Sequence, residues 1–134
     1  MALSVIASEQ RVWVDSADRV FRDTEGRNLI MHGVNVVYKV APYIPDVQVF
    51  EAQDSLSAKD IADLKAWGFN MVRLGVMWEA VETAPGVYNQ TYLNEIDSLI
   101  TKLGEAGIVT LVDAHQDIMS RLVCGEGMPN FYAK

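Results

Sequence analysis

The stretch Ile108–Asp117, IVTLVDAHQD, constrains the fold of this chain more than any other. It opens as an apolar, β-branched run and ends in three polar side chains. Side chains of a strand alternate between its two faces. Val109, Leu111, Asp113, His115 and Asp117 therefore share one face, and Ile108, Thr110, Val112 and Ala114 share the other. The second face stays apolar and suits packing against helices. The first turns from apolar to acid, imidazole and acid toward its C-terminal end, which is where parallel sheets place ligand chemistry.

The segments before it alternate between strand and helix. Residues 11–31 read as strand pieces (RVWV, VFR, LIM) parted by Asp-, Ser-, Gly- and Asn-rich turns, and predict a small β-hairpin that caps a larger domain. An extended run over Leu29–Val37 leads to Tyr38, Lys39 and a loop marked by Pro42 and Pro45, which has no clear period to about Asp54. Ser57 and Asp60 form a capping-box-like start to a helix with Ile61, Leu64 and Trp67 at helical spacing, closed by Gly68. Phe69–Trp78, FNMVRLGVMW, reads as a buried strand. After the Ala84-Pro85-Gly86 turn, Asn89 or Thr91 caps a second helix with apolar face Leu93, Ile96, Ile100 and Leu103, closed by Gly107. The β-α-β-α-β order predicts an α/β fold with parallel strands and right-handed helical crossovers.

Composition narrows the classes. The 134 residues are 50% hydrophobic and 22% charged, which places the chain among globular proteins. A net charge of −7 and the absence of a Lys/Arg cluster argue against nucleic acid as a partner. The single cysteine, Cys124, forms no intrachain disulfide, so it says nothing of compartment. Residues 1–10 read as a tail or signal remnant: the apolar run Leu3–Ala7 lacks a preceding basic residue and is shorter than a secretory core. No stretch approaches the roughly 20 apolar residues of a membrane span. Asn89-Gln90-Thr91 is a glycan acceptor only in a secreted protein.

Several residues invite a chemical reading, each beside a plainer one. Arg73 keeps its charge, so in a buried strand it needs a partner, and Asp113 on a neighbouring strand would face the same interior. Such a pair either fixes strand register or serves a site. His115 is either a satisfied core histidine or a site residue, and its place between Asp113 and Asp117 at a strand end favours the site. Asp113, His115 and Asp117 would present three metal ligands on one face, but no second His or Cys accompanies them, and no metal is expected. Lys39 is a solvated lysine or a cation for a polar ligand. Trp13 and Trp78 read as core or rim aromatics, and Glu79 and Glu82 as solvated loop acids.

The succession GRNLIMHGVN, KVAP, GFNMVRLGVMWEAVETAPGVYNQTYL and GIVTLVDAHQD resembles the N-terminal part of endoglycoceramidase-like enzymes of glycoside hydrolase family five, from about Arg11 to Asp117. The resemblance implies a (β/α)8 barrel, of which residues 11–134 would supply about the first three β/α units plus the hairpin cap. It implies retaining hydrolysis of the β-glucosidic bond between glycan and ceramide, without a cofactor, in a secreted or lysosomal/vacuolar setting. It also implies roles: Arg73 orients the nucleophile carboxylate with Asp113 in support, and His115, Lys39 and Asp117 hold the sugar next to the scissile bond.

The same resemblance exposes a departure. Retaining glycosidases use two carboxylates about 5–5.5 Å apart. In this family they follow the fourth and seventh strands, whereas the motifs here reach only the third. Glu79, Glu82 and Glu126 match neither carboxylate, so no catalytic acid is assigned. The expectation is a substrate-holding fragment, inactive alone and completed by the barrel remainder. A non-catalytic glycolipid-binding module, or a decoy of a full-length relative, is the alternative.

Overall fold

The computed structural model describes residues 12–133, so the tail expected over residues 1–10 lies outside the described residues. Strands β1 (Trp13–Asp15), β2 (Val20–Arg22) and β3 (Asn28–Leu29) form an antiparallel meander rather than a two-stranded hairpin. Arg22 holds it together: Nε donates to Asp15 at 2.8 Å, and Nη1 donates to Asn28 at 2.6 Å. The extended run expected over Leu29–Val37 is split between two sheets. β3 ends at Leu29, Ile30 is 84% exposed, and β4 (Gly33–Val36) opens a separate parallel sheet.

That sheet has the order β4-β5-β8, where β5 is Met71–Met77 and β8 is Val109–His115. Both pairings are parallel, with Asn35 opposite Arg73, Gly75 opposite Asp113 and Met77 opposite His115. Two helices make the crossovers, α1 (Ala58–Ala66) and α3 (Gln90–Glu105). Between β5 and α3 lie a single helical turn, α2 (Trp78–Val81), and a short hairpin of β6 (Glu82–Ala84) with β7 (Val87–Tyr88).

The two crossover helices end in the same way. Gly68 and Gly107 adopt φ of +83° and +73°, a conformation glycine enters without steric cost. In each case the glycine N–H bonds back to Lys65 or Gly104, and the next residue's N–H reaches Leu64 or Leu103. The residue that follows, Phe69 or Ile108, packs against the core that its helix feeds. These paired stops aim β5 and β8 along the same direction.

The core lies between the helices and one face of the sheet. Val72 and Leu74 of β5 meet Ile61 and Leu64 of α1 and Ile96, Leu99 and Leu103 of α3, all buried. The apolar face of α3 is therefore centred on Tyr92, Ile96, Leu99 and Leu103, about one residue round from the expected stripe. Asn89 caps that helix, its side chain accepting the Tyr92 N–H at 3.2 Å. Ser57 and Asp60 start α1 as expected, with the Ser57 N–H donating to Asp60 at 2.7 Å. Trp67 departs from expectation: it is 68% exposed, beyond the reach of the core at the helix C-cap. The outer face of β8 departs too. Ile108 is buried, but Val112 is 53% exposed, because among the described residues no helix lies beyond this edge strand.

Buried Tyr92 links the core to the loops above it. Its hydroxyl accepts the Met77 N–H at 3.3 Å and donates to the Tyr43 carbonyl at 3.2 Å. Burial pushes its phenol upward from the ordinary tyrosine value, so it remains a neutral donor.

Candidate functional site

The C-terminal ends of the three parallel strands converge on one polar cluster. β4 runs into Lys39, β5 into Glu79, and β8 delivers Asp113, His115 and Asp117. Alternation along β8 places these last three on one face, as the period of a strand requires. The five expected site residues, Arg73, Asp113, Lys39, His115 and Asp117, form one chain of contacts.

Asp113 is the hinge of that chain. Its Oδ2 lies 2.7 Å from Arg73 Nη2 and 2.8 Å from His115 Nδ1. One carboxylate thus anchors both the guanidinium and the imidazole, and it fixes the ring of His115, which is only 8% exposed. The other ring nitrogen, Nε2, is buried and has no hydrogen-bond partner. It points toward Asp117 Oδ2 at 3.5 Å and Glu126 Oε1 at 3.9 Å. A buried imidazole nitrogen without a partner is costly, so this atom is available to a ligand.

Lys39 bridges the next two carboxylates. Its Nζ is 2.5 Å from Asp117 Oδ2 and 2.6 Å from Glu126 Oε1. The ammonium holds the Asp117 carboxyl below the usual carboxylate range. Asp117, and after it Glu126, raise Lys39 above the ordinary lysine value.

Glu126 was not legible as a site residue. It arrives because the loop after β8 doubles back: the Asp117 N–H donates to the Glu126 carbonyl at 3.0 Å, and the Glu126 N–H returns the bond at 2.8 Å. The sequence signal is Gly125 and Gly127 on either side, since both backbones run too close to residues 115–118 to admit a Cβ.

Glu79 and Glu82 are not solvated loop acids. Glu79 takes a forked contact from Arg121, with Nη2 at 2.9 Å and Nε at 3.1 Å. Glu82 is 5% exposed. It accepts the Gly86 N–H at 2.7 Å and the Trp78 indole and Tyr132 hydroxyl at 2.8 Å each. Those donors, Gly86 first, hold its carboxyl below the usual range. Trp78 is a rim aromatic, 43% exposed and tilted against Tyr132.

His115, Asp117 and Glu126 offer ligand atoms that all lie within 4.8 Å of one another, a spacing open to a metal ion. This trio differs from the expected one, because Asp113 is turned to Arg73 and to Nδ1 of His115. The Lys39 ammonium stands between the two carboxylates and already serves as their cation.

Beside His115 an apolar groove of about 370 Å³ is lined by Trp78, Ala114, Met119 and Met128 among others. The loop over it is strained: Ile118 and Met119 have φ of 51° and 72°. For a β-branched residue this is an outlier of the kind that clusters at functional sites. It leaves Ile118 69% and Met119 59% exposed.

A parallel α/β sheet with hydrogen-bonding and charged side chains gathered at its C-terminal ends has the layout on which barrel enzymes build their sites. Residues 23–133 match the family described as cellulase (glycosyl hydrolase family 5), and the chain belongs to that family. An endoglycoceramidase of Cyanea nozakii is 41% identical over 109 residues, covering 81% of this chain and 22% of the relative. The endo-glycoceramidase II of Rhodococcus sp., solved in complex with ganglioside GM3, superposes with a TM-score of 0.67 at 28% identity, covering 84% of this chain and 27% of that one. Sterylglucosidase 1 of Cryptococcus neoformans superposes with a TM-score of 0.68 at 29% identity, covering 82% and 18%. The chain thus spans about a quarter or less of the length of these relatives. Its sheet corresponds to part of a (β/α)8 barrel and is not closed on itself among the described residues.

Proposed function

We propose that this chain forms the sugar-holding part of a retaining β-glucosidase acting on glycolipids, at the bond between glycan and ceramide. The carrying observation is the buried, unpartnered Nε2 of His115 beside the Lys39–Asp117–Glu126 bridge. A sugar ring offers neighbouring hydroxyls that each donate and accept. An ammonium only donates, a carboxylate only accepts, and one imidazole nitrogen does either according to tautomer. Lys39, Asp117 and His115 therefore suit adjacent hydroxyls of a glucoside. Arg73 and Asp113, set one layer deeper, suit the orientation of a nucleophile carboxylate. The groove beside His115 and the exposed Ile118 and Met119 suit an apolar aglycone. The names of the relatives, one acting on glycoceramides and one on steryl glucosides, support a lipid on that side.

In this proposal the chain by itself binds and does not cleave. Retaining hydrolysis needs one carboxyl group that stays protonated near neutral pH and a second that attacks. Asp117 is held in the ionised form by Lys39, and Asp113 is shared between Arg73 and His115. Asp117 therefore has no proton to give to a leaving group, and Asp113 is taken up by its two partners. The test is a titration of fluorescent glucosylceramide in detergent micelles. The expected result is saturable binding, lost on His115→Ala, with no released ceramide. Turnover that vanishes on Arg73→Ala would overturn the non-cleaving reading, and absence of binding would overturn the sugar-holding one.

A further inference from the structure

Lys39 presents a problem of aim. It lies three residues past the end of β4, beyond the sheet's hydrogen bonds, and its side chain is 44% exposed. An ion pair this open is weak, and a four-carbon stem has many rotamers. Something other than the pair itself must hold the ammonium between Asp117 and Glu126.

We propose that Arg121, seated on Glu79, is the positioning residue that aims the Lys39 ammonium into the site. The geometry is a three-way tie. Arg121 Nη2 donates to the backbone carbonyl of Lys39. Its Nε and Nη2 edge grips the Glu79 carboxylate, just past β5, at 3.1 and 2.9 Å. Its Nη1 lies 3.6 Å from Glu126 Oε2, on the carboxylate whose other oxygen meets Lys39. Arg121 therefore touches Lys39 at both ends, at its main chain and at its counter-ion. Glu79 is fixed in turn: its N–H donates to the Gly127 carbonyl at 2.7 Å, and its carboxylate accepts the Gly127 N–H at 3.3 Å. Loops from the ends of β4, β5 and β8 are thus joined through one guanidinium. The task needs a planar fork with donors on several edges, which a lysine does not supply.

What Lys39 is aimed at rests on the sugar-holding reading; the clamp itself does not. The discriminating property is sign. Arg121 carries a positive charge near the ammonium, so removing that charge alone would make Lys39 keep its proton more firmly. Loss of aim does the reverse, because Lys39 leaves its two carboxylates and becomes an ordinary surface amine. The experiment is acylation of the full chain with an N-hydroxysuccinimide acetate at pH 8, read lysine by lysine by mass spectrometry. Exposed Lys65 and Lys102 serve as internal standards.

In the parent chain Lys39 is expected to react more slowly than the standards, because Asp117 and then Glu126 hold its proton. Arg121→Gln and Arg121→Lys are each expected to bring it within about twofold of them. Glu79→Gln should do the same, and combining it with Arg121→Lys should add nothing, because the two residues act as one unit. Unchanged or slower acylation of Lys39 in folded Arg121→Gln would overturn the proposal. So would loss of the near-ultraviolet circular dichroism of both Arg121 variants, which would make the clamp a folding staple. Because no sugar is present, released Lys39 together with absent methyl β-glucoside binding by the parent chain would uphold the clamp and sink the sugar reading. Intact glucoside binding with unmoved Lys39 would do the opposite.

Discussion

The two ends of the β4-β5-β8 sheet solve different problems with polar groups. At the N-terminal end the contacts made by Asn70 are neutral and mutually satisfied. The Asn70 side chain accepts the His32 N–H at 2.8 Å and donates to the Ile30 carbonyl at 2.9 Å, while its main chain bonds to His32 and Val109. One amide thus locks the start of all three strands. At the C-terminal end charges share partners: Asp113 serves Arg73 and His115, Lys39 serves Asp117 and Glu126, and His115 keeps one nitrogen unpaired. The first arrangement sets register. The second has contacts that a ligand can take over. The comparison predicts that substitutions at the lower end cost stability and spare binding, and that those at the upper end do the reverse.

The largest expected effect is at the lower end. A Cβ on Gly33 would lie 1.8 Å from the Met71 carbonyl oxygen, inside the ladder between β4 and β5. Neither backbone is free to move without breaking the pairing. Gly33→Ala should therefore exceed the roughly 1–3 kcal/mol usual for overpacking, measured by urea denaturation. A cost below about 1 kcal/mol would mean that this end of the sheet is slack. Asn70→Ala comes next. It removes two solvent-exposed hydrogen bonds, to the His32 N–H and the Ile30 carbonyl, at roughly 0.5–1.5 kcal/mol each. Glucoside affinity should not change.

The parts of the molecule that obey a simple period were legible from sequence. β5 follows from its short apolar run and β8 from its alternation, both helix stops follow from Gly68 and Gly107, and the facing of Arg73 toward Asp113 follows from strand alternation on neighbouring strands. What failed to be legible depends on chain reversal or on where a layer ends. Trp67 has the spacing of a core residue, yet it sits at the C-cap where the core has run out. Val112 has the pattern of a covered strand, but coverage is a property of neighbouring elements and not of the strand. Glu79 and Arg121 lie in single helical turns and Glu126 in a loop, all too short to show a period. They meet because the segment after Asp117 folds back on itself, and only the glycines around Glu126 hint at that close approach. Lys39, Asp117 and His115 were found through resemblance as much as through pattern.

At the upper end, Asp113→Asn tests whether charge sharing serves stability or binding. Of the two partners of Asp113, Arg73 is open to solvent at 36% side-chain exposure and His115 is buried at 9%. Removing the charge weakens the open Arg73 pair and leaves an amide that still meets His115 Nδ1, so it should cost about 1 kcal/mol. The ring of His115 would lose its charged anchor, and glucoside affinity should fall by about tenfold or more, equivalent to roughly 1.4 kcal/mol. A variant that loses stability but binds normally would reverse the assignment of roles to the two ends.

The smallest effect concerns the Lys39–Asp117 bridge, and it is read through pH. Asp117 has its carboxyl lowered by Lys39. Its contribution is complete above the unfolded value of about 3.9 and disappears as pH falls through the lower folded value. Lys39 is raised by Asp117 and Glu126. Its contribution is complete below the unfolded value of about 10.4 and disappears as pH rises through the higher folded one. Between about pH 5 and 9 neither group changes charge. The difference in urea midpoint between the parent chain and Lys39→Met should therefore be small and flat across that range, since both side chains are about half-exposed. It should shrink toward zero in acid and again in strong alkali. A difference that changes between about pH 6 and 8 would sink the bridge as its cause, because the titrating group would then lie elsewhere in the cluster.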